Sequence, residues 1–108
     1  MTRRAVRKHI REMVRRIARR FDPDRIILFG SHARGEAGPD SDVDLLVVMP
    51  VQGSRRQARI DVRLALHDIP IPKDIVVTTP EDFERRRRVV GTLEYPADTE
   101  GEVVYVKR

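Results

Sequence analysis

Residues 30–44, GSHARGEAGPDSDVD, lie between two short apolar runs, RIILF at 25–29 and LLVVM at 45–49. Short β-branched runs bounded by turn residues are typical of buried strands, so we expect strands over 25–29 and 42–49 joined by a turn-rich segment. Successive side chains of a strand point to opposite faces. Asp42 and Asp44 are therefore predicted to share one face of the second strand, while Val43 takes the other.

The flanking sequence predicts helices around this pair of strands. Apolar residues recur at three- and four-residue steps before the first strand and again after the second, as in amphipathic helices. Thr79-Pro80 has the features of a helix start, a capping hydroxyl followed by proline. The predicted elements are a helix over 2–21, a helix over 56–67, a third strand over 74–78, a helix from 79 to about 88, and a short tail in which 103–106 is a last strand or an edge segment.

The chain of 108 residues is expected to form a single small α/β domain spanning 1–108. It has no cysteine, which excludes disulfides, thiol catalysis and cysteine-ligated metal. No apolar run approaches the roughly 18 residues of a membrane span, and the basic N-terminus lacks the apolar stretch of a signal peptide. A cytoplasmic protein without membrane association is expected.

The net charge of +5 has two interpretations. The 22 basic residues would attract a polyanion such as nucleic acid, or they form a solvated arginine-rich surface. With only two tyrosines and three phenylalanines for base stacking, the solvated surface is favoured and a nucleic-acid partner stays open.

Residues 30–44 also carry the candidate chemistry. A glycine at a strand end lets backbone approach a ligand closely, and Ser31 adds a hydroxyl and an amide that suit phosphates. Two carboxylates at i and i+2 of a strand lie roughly 6.5–7 Å apart at their Cα atoms, a spacing suited to hard cations such as Mg²⁺. Asp74, which opens the third strand, is the best candidate for a third carboxylate.

Alternatives remain for each acid. Asp42 could simply cap the turn before it, and Asp44 could be an ordinary polar strand residue. Asp61 and Asp68 compete with Asp74 for the third position but fall on or near a helix. His32, within the loop, is more often a bystander at such a position.

The arrangement Gly30-Ser31, ten residues, Asp42-x-Asp44, with DIVV downstream, resembles the nucleotidyltransferase superfamily that includes DNA polymerase β and kanamycin nucleotidyltransferase. It is most similar to the minimal nucleotidyltransferases encoded beside HEPN-domain proteins. The resemblance implies a small mixed sheet flanked by helices, the polymerase β-like core. It also implies an antitoxin that transfers AMP from ATP to a tyrosine hydroxyl of a HEPN ribonuclease toxin.

Carried over residue by residue, the resemblance makes Asp42 and Asp44 ligands of two Mg²⁺ ions. Asp74 would bind one of the ions and help to deprotonate the acceptor. The residues at the nucleoside triphosphate would be Gly30, Ser31 and Arg34.

Two rival functions stay open from the sequence. One is a catalytically inert antitoxin that neutralises its toxin by occlusion. The other is a nucleotidyltransferase acting on a small molecule or an RNA end.

Overall fold

The computed structural model describes residues 1–108 and contains four strands and five helices. The strands are β1 (Arg25–Phe29), β2 (Val43–Val48), β3 (Lys73–Thr78) and β4 (Glu102–Val106). The helices are α1 (Arg3–Phe21), α2 (Ser31–Arg34), α3 (Arg55–Ala65), α4 (Pro80–Arg86) and α5 (Glu94–Glu100). None of them combines the length and apolar character needed to cross a bilayer.

The strands form one mixed sheet in the order β3-β2-β1-β4. β1 is antiparallel to both β2 and β4, whereas β2 and β3 are parallel. A parallel pair needs a long crossover connection, and α3 supplies it between β2 and β3. The predicted fold class, a small mixed sheet flanked by helices, is confirmed.

The two faces of the sheet are covered unequally. A larger core of 14 buried residues joins the sheet to α1 and α3, with Met13 and Ile17 on α1 and Val62 on α3 fully buried. A smaller core of six buried residues lies on the opposite face, where Phe83 of α4 and Ala97 of α5 pack against the sheet. The helices that cover this second face, α4 and α5, have only seven residues each.

Side-chain caps begin the predicted helices. The Thr2 hydroxyl accepts the Ala5 amide at 3.1 Å at the start of α1, and Ser54 accepts the Gln57 amide at 3.2 Å at the start of α3. The Thr79 hydroxyl caps α4 in the same way, ahead of a proline and two acids in the first turn. Each cap satisfies an amide that has no partner inside its helix.

Helix α5 was not predicted, whereas the last strand expected at 103–106 is confirmed as β4 at the edge of the sheet. The α5 sequence, EYPADTE, shows no apolar periodicity and contains Pro96. A proline in the first turn is tolerated because the amide it lacks would have no intrahelical partner. The buried Glu94 fixes the helix to the sheet, since it accepts a hydrogen bond from the Thr78 hydroxyl at 2.7 Å.

Candidate active site

The predicted site residues meet at one end of the sheet. β1 ends at Phe29 and β2 begins at Val43, so in this antiparallel pair Phe29 lies opposite Asp44. In the parallel pair, Asp44 lies opposite Asp74. The crossover through α3 thus brings together two carboxylates that are 30 positions apart in the sequence.

Strand alternation decides which face they occupy. Leu46 and Val48 of β2 belong to the smaller core, and Asp44, two positions before Leu46, points to the same face. Asp74 is two positions before Val76, which packs against the same core, so it also points to this face. Both acids therefore lie on the face of the sheet that α4 and α5 cover.

Asp42 lies just outside β2, which begins one residue later than predicted. It is exposed, whereas Asp44 is half-buried. The turn before it is held by Ser41, whose hydroxyl accepts the Gly38 amide at 2.8 Å. The side chain that caps this turn is therefore that of Ser41 and not that of Asp42.

Two features require a glycine at position 30: its backbone conformation and the close approach of the Asp44 side chain. The Gly30 φ of +75° and ψ of −156° lie in a region that side-chain-bearing residues rarely adopt. A Cβ atom built on Gly30 would overlap Oδ2 of Asp44 and lie 3.1 Å from its Cγ. The absence of a side chain at this position therefore lets the Asp44 carboxylate lie directly against the strand end, beside the half-buried Ser31.

The electrostatics of the site favour a bound cation. Burial raises the pKa of Asp44, and the negative charges of Asp74 and Asp42 raise it further, against smaller opposing effects of His32 and Arg34. Ionised Asp44 is thus held in an unfavourable environment, which a cation between the carboxylates would relieve.

The donor set fits Mg²⁺, which binds proteins through one or two carboxylates and retains several waters. No three Asp, Glu or His side chains converge closely enough to hold a metal as they stand. Asp74 also has a protein partner, since its Oδ1 forms an ion pair with Nη2 of Arg59 at 3.2 Å. The structure thus places Asp44 opposite Asp74, with an arginine paired to one of the two carboxylates.

The other candidate acids point to different partners. Asp61 accepts a hydrogen bond from Gln57 at 2.9 Å on the same helix. Asp68 forms an ion pair with Arg16 that joins α1 to the end of α3. Neither has a strand position opposite Asp44, which Asp74 has, so Asp74 stays the candidate for the third carboxylate.

Arg34 is close to the carboxylates but already paired. Its Nε donates to Glu36 at 2.7 Å, and its Nη1 lies 3.5 Å from Glu100 on α5. His32 Nε2 lies 3.3 Å from the Ser41 carbonyl oxygen. His32 also lines a cavity of about 380 Å³ between α2 and the N-terminal turn of α1, with Arg3 and Arg7.

The family model described as "Nucleotidyltransferase domain" matches residues 10–102. The chain belongs to the nucleotidyltransferase domain family. The matched region includes Gly30, Ser31, Asp42, Asp44 and Asp74, although their individual roles stay predictions.

Curated relatives of this nucleotidyltransferase domain include two large enzymes. The bifunctional uridylyltransferase/uridylyl-removing enzymes of Bordetella pertussis and Bordetella parapertussis are 43% and 42% identical to it over 67 residues. The aligned segment covers 60% of this chain and 8% of each enzyme. The chain therefore corresponds to a small part of those proteins.

Solved structures share the nucleotidyltransferase fold at low identity. A Sulfolobus solfataricus protein assigned as a nucleotidyltransferase superposes with a TM-score of 0.63 at 21% identity, over 95% of this chain and 87% of that one. A toxin–antitoxin structure with AMP-PNP superposes with a TM-score of 0.54 at 20% identity, over 90% of this chain and 73% of that one. These similarities concern the fold alone.

Proposed function

We propose that this nucleotidyltransferase domain is an Mg²⁺-dependent protein adenylyltransferase. It transfers AMP from ATP to a tyrosine hydroxyl of a HEPN-type ribonuclease toxin and thereby acts as its antitoxin. The observation that carries the proposal is the pairing of Asp44 with Asp74 across two parallel strands, with Gly30 against Asp44. The similarity in fold to a toxin–antitoxin structure with AMP-PNP supports the choice of partner and nucleotide.

Each residue has a distinct role in the proposed reaction. Asp42 and Asp44 would hold two Mg²⁺ ions, and Asp74 would hold one of them. Metal ions bound there would supply positive charge for the attacking and leaving oxygens of an in-line displacement. Ser31 and the Gly30 backbone bind the triphosphate, with Arg34 beside it.

The transfer is a single displacement at the α-phosphorus. The tyrosine oxygen forms a bond to this phosphorus, and the bond from it to the pyrophosphate oxygen breaks. The hydroxyl proton passes to Asp74, and pyrophosphate leaves with the bonding electron pair. Asp42 is exposed and the Asp74 side chain is 47% exposed, so a tyrosine on the surface of another protein can approach this edge.

A second donor is favoured by one comparison. The relatives with 43% and 42% identity are uridylyltransferases. UTP, with transfer of UMP, is therefore the alternative donor for the same residues.

The test is incubation of the chain with Mg²⁺, each of the four nucleoside triphosphates in turn, and the HEPN protein encoded nearby, followed by intact mass measurement. We expect the HEPN protein to gain one or more AMP units with ATP. Asp42→Asn and Asp44→Asn should abolish the gain, because they remove metal-binding charge. Asp40→Asn, an exposed loop residue nearby, serves as the matched control and should retain transfer.

Other outcomes would redirect the assignment. Addition of UMP would identify UTP as donor. Neutralisation of the toxin without any mass gain, and unaffected by Asp44→Asn, would establish an occluding antitoxin instead. Transfer to RNA alone would show that the acceptor is an RNA end.

A further inference from the structure

Arg59 is the one arginine whose side chain pairs with a proposed metal ligand. Its Nη2 lies 3.2 Å from Oδ1 of Asp74. Arg59 projects from α3, which packs on the larger core through Val62. Asp74 points to the opposite face of the sheet. β3 is an edge strand, so no further strand separates the two side chains.

We propose that Arg59 is a displaceable counter-ion of Asp74, a positioning residue that competes with the cation for this carboxylate. The inference rests on the proposed function, in which Asp74 binds a metal ion. Arg59 holds Asp74 while the site lacks a cation and must release it when one binds. Metal affinity is thereby set below the value that the carboxylates alone would give.

The geometry suits an ion pair that can be displaced. The side chains of Arg59 and Asp74 are 46% and 47% exposed, and one hydrogen bond joins them, from Nη2 of Arg59 to Oδ1. Exposed pairs of this kind are weak and are screened by salt. The hydrogen bond from Arg59 goes to Oδ1, so Oδ2 accepts none from this arginine and is available to an incoming cation before the pair breaks.

The neighbouring arginine cannot take over this role. Arg34 is paired with Glu36 and Glu100. The ion pair that the structure shows for Asp74 is the one to Arg59 on α3. Because α3 forms the crossover between β2 and β3, the same segment aligns Asp44 with Asp74 and supplies the competing cation.

The test measures Mn²⁺ binding to the full chain by electron paramagnetic resonance, with no nucleotide present and again with a non-hydrolysable ATP analogue. Arg59→Ala should lower the Mn²⁺ dissociation constant of the nucleotide-free chain by about two- to fivefold. Arg59→Lys, which keeps the charge, should restore most of the wild-type value. Arg56→Ala, an exposed arginine on the same helix, is the matched control and should leave it unchanged.

Two further measurements separate competition from a structural effect. In an Asp74→Asn background, Arg59→Ala should have no additional effect, since the carboxylate for which it competes is gone. The ratio of wild-type to Arg59→Ala dissociation constants should also fall as ionic strength rises, because the pair is exposed.

The outcomes distinguish this inference from the proposed function. Mn²⁺ binding that Asp44→Asn weakens, but that is the same in wild type, Arg59→Ala and Arg56→Ala, would overturn the inference and leave the proposed function intact. An Arg59→Ala effect that persists in the Asp74→Asn background would also overturn it. No Mn²⁺ binding by any variant, with or without the ATP analogue, would overturn both.

Discussion

Replacing Gly30 by alanine tests whether the strand end is shaped by Asp44. The new Cβ would adopt φ near +75° with ψ near −156°, a conformation that costs a residue with a side chain about 1–3 kcal/mol. It would also overlap Oδ2 of Asp44, and overpacking of this kind typically costs about 1–3 kcal/mol. Together these effects predict that Gly30→Ala loses at least about 2 kcal/mol of unfolding free energy.

Gly35→Ala is the matched control. Gly35 has the same φ of +75°, but no atom lies within 4 Å of a Cβ built on it. Its left-handed backbone should cost alanine only about 1 kcal/mol. The difference between the two variants therefore isolates the contact with Asp44 and the more restricted backbone of Gly30.

The assay is urea unfolding of both variants, repeated in an Asp44→Ala background. We expect Asp44→Ala to recover about 1–3 kcal/mol of the loss in Gly30→Ala, because it removes the atoms that the new Cβ overlaps. It should recover none in Gly35→Ala. Equal losses for the two glycine variants, or the same effect of Asp44→Ala in both backgrounds, would refute the reasoning.

Three further predictions follow from the charges and packing. The folded-state pKa of Asp44 is raised, so its ionised form destabilises the metal-free chain at neutral pH and this penalty disappears as pH falls. Asp44→Asn should therefore increase the unfolding free energy at pH 7, measured with urea and without divalent ions, and the gain should shrink towards acid pH. Hydrogen bonding from Arg16 lowers the pKa of Asp68 from its ordinary value of 3.8 to about 2. The ion pair therefore stabilises the fold above pH 3.8, and this stabilisation is lost as pH falls towards 2. Carboxyl NMR should show the pKa of Asp68 returning towards 3.8 in Arg16→Ala. A Cβ on Gly101 would overlap the Ala97 carbonyl oxygen, so Gly101→Ala should cost about 1–3 kcal/mol in thermal unfolding, and an unchanged melting temperature would contradict this.

The strands were predictable because their apolar runs are short and sharply bounded. The predicted strand at 25–29 matches β1, and the strands at 42–49 and 74–78 match β2 and β3 to within one residue at each end. α5 was missed because the sheet, through Thr78 and Glu94, holds a segment whose own sequence shows no helical period. Tertiary contacts of this kind leave no local pattern.

For the candidate site, the sequence predicted part of the placement of the acids, while their roles stay predictions. The sequence predicted Asp42 and Asp44 on one strand, but only Asp44 belongs to β2 and Asp42 lies just before it. The parallel crossover explains why Asp74 lies opposite Asp44. Arg59 was not among the predicted site residues. Its ion pair joins α3 to Asp74 around the edge strand β3, and no sequence spacing predicts such a contact. Arg34 was expected beside the phosphates, yet one of its partners, Glu100, lies on the unpredicted α5.

The unequal division of the core implies that the two sides of the sheet differ in local stability. α4 and α5 pack on a core of six buried residues, whereas α1 and α3 pack on one of 14. Amides over 80–100 should therefore exchange with deuterium through partial openings that leave the strands protected. Movements that admit a bulky acceptor would then come from this segment, while Asp44 and Asp74 stay in register.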